Sequence, residues 1–96
     1  MDVRIQAIHF EATEKLVEFI NKKAEKLTRR FPAITTVDVT LKVVKPETAM
    51  NKDVLVRLVS PAGELVATKV ADSFEEALDL SLNALEPQLE KQKSKK

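Results

Sequence analysis

TVDVTLKVV, residues 36–44, places Val37, Val39, Leu41 and Val43 on one side of an extended chain and Asp38, Thr40 and Lys42 on the other. That period of two marks a strand with one face in a core and one in water. Upstream, Pro32 closes a different pattern. From about Thr13 to Phe31, Leu16, Val17, Ile20, Ala24, Leu27 and Phe31 recur at threes and fours, the stripe of an amphipathic helix that a proline then ends. Before that helix, Val3, Ile5 and Ala7 alternate with Arg4 and Gln6 ahead of Ile8, a first short strand.

Downstream, Asp53–Val59 alternates again, with Val54, Val56 and Leu58 inward and Arg57 outward. Ser60, Pro61, Ala62 and Gly63 carry turn chemistry, and a fourth strand runs from about Glu64 to Ala71. Ser73 followed by Glu76 is a capping box, and Asp72, Glu75 and Glu76 suit the positive end of a helix dipole. Phe74, Ala77, Leu78, Ser81, Leu82, Leu85 and Leu89 form the stripe of this second helix, which Pro87 is expected to kink or restart. The order is β-α-β-β-β-α, an α+β fold. Crossover chirality makes the first two strands parallel and leaves an antiparallel meander, a four-stranded mixed sheet with both helices packed on one face. The topology resembles that of a double-stranded-RNA-binding domain with an extra leading strand.

The chain has 96 residues, 44% of them apolar, which suits one domain with one core over residues 1–96, with 90–96 as a basic, flexible tail. There is no Cys and no Trp, so disulfides, thiolate metal sites and cysteine nucleophiles are out. No apolar run approaches the roughly 20 residues of a membrane span, and no signal-peptide pattern opens the chain, so a cytoplasmic location is expected. His9, the one histidine, lacks the partners of a metal site or a nucleophile relay, and Gly63, the one glycine, cannot build a phosphate-cradling loop. Carboxylates such as Glu75 and Asp79 read as solvated, dipole-matching groups. The expectation is therefore no catalytic residue, no metal, no cofactor, no small-molecule substrate and no membrane.

The formal net charge is +1, but it is unevenly spread. Lys22, Lys23, Lys26, Arg29 and Arg30 against Glu25 give residues 22–30 a local +4, and Lys91, Lys93, Lys95 and Lys96 give residues 91–96 another +4, leaving −7 on the rest. Two basic clusters on an acidic body orient a protein towards polyanions. At about 100° per residue, Lys15, Lys22, Lys26 and Arg29 fall close to one line opposite the apolar stripe, with Lys23 and Arg30 flanking, a ridge suited to backbone phosphates. Glu14, Glu18 and Glu25 offer these lysines partners along the helix. Phe19, off the stripe, is expected to pack on lysine stems. All four aromatics are Phe and none lies on the open sheet face, so contact with phosphate and RNA shape is expected over base stacking on the sheet.

ATEKLVEFINKKAEKLTRRF (12–31), VDVTLKVVK (37–45) and DSFEEALDLSLNALEPQLEKQKSKK (72–96) together resemble the ribosome hibernation-promoting factors, or ribosome-associated inhibitors, in a short form. The most specific matches are Lys23, Lys26 and Leu27 in the first helix and Asp72, Phe74, Ala77 and Asp79 at the start of the second. The resemblance implies binding to the small ribosomal subunit, its 16S-type rRNA and neighbouring ribosomal proteins, near the decoding centre. Occupancy there would block tRNA and mRNA access and inhibit translation, and the resemblance does not choose between silencing single ribosomes and promoting ribosome dimers. It gives Lys23 and Lys26, and Lys91, Lys93 and Lys95, as RNA contacts; Lys22, Arg29, Arg30 and Lys96 come from charge and position. Lys42 also matches a family position on the open sheet face. Two departures stand out: Phe74 where the family has Tyr, and Pro87 where a helical residue is usual. The competing class is a protein-interaction module using the open sheet edge without RNA binding, with a small ferredoxin-like enzyme behind it.

Overall fold

The computed structural model describes residues 2–44 and 51–94, with side chains described through residue 92. Its elements are β1 (Asp2–Ala7), α1 (Glu14–Arg30), β2 (Thr36–Val43), β3 (Lys52–Ser60), β4 (Gly63–Ala71) and α2 (Phe74–Ser94). The sheet order is β1-β2-β3-β4. β1 lies parallel to β2, with Val3 opposite Val37 and Ile5 opposite Val39. The remaining pairs are antiparallel and carry the same inward row across the sheet, Val39 to Val56 to Ala67. The expected β-α-β-β-β-α order, mixed sheet and one-sided helical cover are all present.

Both helices begin where side-chain chemistry dictates. Thr13 Oγ1 accepts from the Leu16 N–H at 3.2 Å and Ser73 Oγ accepts from the Glu76 N–H at 3.2 Å, each satisfying one of the donors a helix start leaves orphaned. α1 stops at Arg30, where Pro32 is approaching. Phe31 turns into the core while its N–H still donates to the Leu27 carbonyl. Gly63 makes the β3–β4 turn at φ 127°, a conformation that a side chain would strain.

α2 lies against β3 and β4, and α1 against β1 and beside α2. The core between helices and sheet joins Leu16, Ile20, Ala24 and Leu27 of α1 to Val37, Val39, Leu41, Val54, Val56 and Leu58 of the sheet and to Leu78, Leu82, Leu85 and Leu89 of α2. Each Val, Leu or Ile among them contributes roughly 1.5–3 kcal/mol on leaving water. Ala77 and Ser81 are small enough to bring α2 close to the sheet. The wholly buried Ser81 hydroxyl is satisfied by the carbonyls of Ala77 at 2.9 Å and Val54 at 3.4 Å.

Two expectations need correction. Val43 has the parity of the core row but is 42% exposed, because it sits at the last pair of the β2–β3 ladder, opposite Lys52, where the apolar cover ends. Alternation decides which face a residue takes, not whether anything covers it. More important, α2 does not end or restart at Pro87: the helix continues to Ser94, so residues 90–94 of the expected basic arm have a helical backbone. Pro87 and Asn83 are both exposed. The carbonyl that the proline leaves without its helical donor therefore faces water, while Leu85 and Leu89 on the opposite side hold the helix to the core. No described helix is long and apolar enough to cross a membrane.

Candidate nucleic-acid interface

The cations of α1 fall into two groups with different surroundings. Lys22, Lys26 and Arg29 are exposed, and among the described residues none of them makes an ion pair. They span two helical turns, about 10 Å along the axis at 1.5 Å per residue. Lys23 and Arg30 lie on the flank nearer α2 and are paired with it. Lys23 Nζ is 3.0 Å from Asp79, and the Arg30 guanidinium reaches Glu86 at 3.2 Å and Glu90 at 2.9 Å. The ridge expected from the sequence is thus an open row plus a committed flank.

Two of the rings beside this surface lie against cations of the chain itself. Lys23 Nζ stands 5.4 Å from the Phe19 ring centroid, and Phe19 packs half-buried against the core, the stem-on-ring packing expected of it. Arg30 lies 5.1 Å from the ring of Phe31. Phe10 and Phe74 stack at 5.2 Å, joining the loop after β1 to the start of α2. His9 in that loop is exposed and left-handed, at φ 64°.

Between the helices runs a groove of about 430 Å³, with Lys23, Lys26, Arg29 and Arg30 on the α1 side and Asp79, Asn83 and Glu86 on the α2 side. Its walls carry opposite charge. Glu14–Arg30 holds six cations and three acids, whereas Phe74–Ser94 holds five acids and two lysines. Two sequence expectations change here. Glu14, Glu18 and Glu25 make no ion pair among the described residues; the carboxylates that engage α1 come from α2 instead. Asp79, expected to be merely solvated, closes on Lys23. The signal available in the sequence was the spacing of Asp79, Glu86 and Glu90 by seven and four, one face of a helix; which element that face meets is a tertiary fact.

Of the basic tail, Lys91 is exposed on the last stretch of α2. The Lys93 backbone is helical, while its side chain, Lys95 and Lys96 lie outside the described residues. The helical course of 90–94 places Lys91 on the last turns of α2. On the open sheet face, Lys42 is exposed opposite Asp53, and Arg57 is bound by Asp38 and Glu64.

Residues 3–96 match the family described as Sigma 54 modulation protein / S30EA ribosomal protein. A ribosome hibernation promoting factor from Pseudomonas putida is 33% identical over 95 residues, covering 99% of this chain and 89% of that protein. One from Azotobacter vinelandii is 30% identical over 95 residues, covering 99% and 85%. Among solved structures, a ribosomal subunit interface protein from Coxiella burnetii superposes with a TM-score of 0.86 at 22% identity, over 99% of this chain and 100% of that one. The N-terminal domain of Protein Y from Thermus thermophilus gives 0.79 at 17% identity, over 95% and 98%. At those identities the two structures speak to the fold alone.

Proposed function

This chain belongs to the Sigma 54 modulation protein / S30EA ribosomal protein family, and from that premise we propose that it is a ribosome hibernation factor acting in the cytoplasm by occupancy rather than catalysis. It binds the small ribosomal subunit near the decoding centre, against rRNA, and blocks tRNA and mRNA access. Lys22, Lys26 and Arg29 of α1 are the primary phosphate contacts. Lys23 and Arg30 join them from the groove, and Lys91, Lys93, Lys95 and Lys96 extend the cationic surface. The observation that carries this reading is the row of three exposed cations that make no ion pair among the described residues, on a helix whose other face is locked into the core. Such a row keeps its charge for an external polyanion and is held rigid, so little ordering is lost on binding.

The test is co-sedimentation with separated small and large subunits and with intact ribosomes across a salt series. Binding restricted to the small subunit is expected, with log affinity falling against log salt at a slope of about −3 to −5 for four to six phosphate contacts. Lys26→Glu with Arg29→Glu should leave the melting temperature unchanged and remove the protein from the subunit fraction. Normal co-sedimentation of that pair would sink the assignment of the site. One observation favours a second reading, protein docking at the sheet edge: β4 is an uncovered edge strand, and its Val66 is 51% exposed. A protein partner there would give a shallow salt slope, untouched by the α1 substitutions.

A further inference from the structure

The pairing of the groove walls follows one increment. Lys23 and Arg30 are seven residues apart on α1, and Asp79 and Glu86 are seven apart on α2. The two helices therefore run side by side in the same direction, and one turn further Glu90 closes on the same guanidinium. Three carboxylates thus satisfy two of the four α1 cations that line the groove, Lys23 and Arg30, and leave Lys26 and Arg29, with Lys22 beyond them, without an ion pair among the described residues. Core packing does not require this. The side chains of Asp79, Glu86 and Glu90 are 45%, 37% and 54% exposed, so the pairs contribute little to stability.

We propose that Asp79, Glu86 and Glu90 are intramolecular stand-ins for RNA phosphate, and that they make α2 the wall that sets selectivity at this interface. The inference rests on the reading of α1 as an RNA-binding helix. Any polyanion can approach the outward row. Lys23 and Arg30 are won only by exchange, when phosphates are presented along the groove in a register that displaces the carboxylates. A carboxylate released next to a bound phosphate repels it, so RNA that touches the ridge without filling the groove meets a penalty. The acid wall thus weakens binding to RNA of arbitrary shape, while a target that threads the groove regains both cations. Its role is positioning and exclusion.

The experiment measures binding of full-length protein to polyuridylate, a probe of no particular fold, and to isolated small subunits, each over a salt series. Asp79→Asn, and separately Glu86→Gln with Glu90→Gln, should tighten polyuridylate binding about three- to tenfold at low salt. Each should also steepen the slope of log affinity on log salt by about 0.7, one further contact to a single strand. Small-subunit affinity should rise less, narrowing the preference for the subunit. Glu75→Gln removes the same charge from the same helix, and Glu75 makes no ion pair among the described residues, so it should change neither slope. The Asp79→Asn gain should vanish in a Lys23→Gln background and the Glu86/Glu90 gain in an Arg30→Gln background, because the cycle isolates release of the paired cation from the overall change in charge. Unchanged polyuridylate slopes, an equal gain from Glu75→Gln, or a gain that survives loss of the partner cation would each overturn the proposal. A wild-type protein that binds polyuridylate but ignores small subunits would instead defeat the hibernation reading while leaving the acid wall standing.

Discussion

A lysine on a helix surface contributes to binding only what it has not already committed within the protein, and Lys23 and Lys26 differ in just that respect. Both line the groove, but Lys23 is bound to Asp79 at 3.0 Å and shielded by the Phe19 ring. Lys26 has neither partner. Lys26→Gln should therefore lower the salt slope for small-subunit binding by about one unit and weaken binding uniformly across RNA sequences. Lys23→Gln should cost less, because a phosphate gained there is offset by a carboxylate displaced. Slopes measured for the two single variants decide it, and equal losses would mean that the Asp79 pair is broken in solution. Thr13 offers a contrast that separates stability from binding. Its hydroxyl caps α1 at 3.2 Å from the Leu16 nitrogen, so Thr13→Ala should cost about 1 kcal/mol. That is a fall of roughly 4–8 °C in melting temperature for a domain of this size, and the salt slope of the folded protein should be unchanged.

Among the elements, α2 departs furthest from its reading in the sequence, and Pro87 is the reason. A proline in an apolar-striped helix reads as a break, since the missing N–H and the ring clash cost about 3 kcal/mol in a helix interior. That cost is tolerable where the orphaned carbonyl is hydrated and the buried face continues past the proline. Leu89, 4% exposed and two residues beyond it, supplies that continuation. Pro87→Ala should then stabilise the protein by about 1–3 kcal/mol, seen as a higher melting temperature and slower amide exchange over 83–92. Truncation after Glu90 should keep the core and the Arg30 ion pairs and reduce affinity for small subunits, because the tail lysines go while the last buried leucine stays. A large fall in melting temperature on that truncation would show the tail to be structural. Elements set by local pattern were readable: the β2 alternation, the α1 stripe, the Ser73 cap and the turn at Gly63 all rest on contacts within a few residues. The ion pairing across the groove was not, because it depends on how two helices distant in sequence meet, and from the sequence alone Glu14, Glu18 and Glu25 were the nearer partners.

At the scale of the whole molecule, the formal charge of +1 misdescribes the surface that a partner meets. α1 carries a net +3 and α2 a net −3, so the molecule is a pair of oppositely charged rods laid side by side over a sheet whose cohesion is apolar. Folding and binding should respond to salt very differently. The ion pairs that join the helices are exposed and worth about 0–1 kcal/mol each, while the core beneath them is indifferent to screening. Raising monovalent salt from 50 to 500 mM should therefore move the melting temperature by no more than a few degrees. Over the same range, four phosphate contacts at a slope near −3.6 amount to a loss of roughly 4,000-fold in affinity for small subunits. Thermal melts and sedimentation in matched buffers make the comparison. If the melting temperature collapsed in step with binding, the groove pairs would be holding the helices in place and the apparent salt dependence of binding would be unfolding. If binding barely changed while the fold held, the partner surface would lie on the edge of β4, and the cationic row of α1 would be only a solvated face.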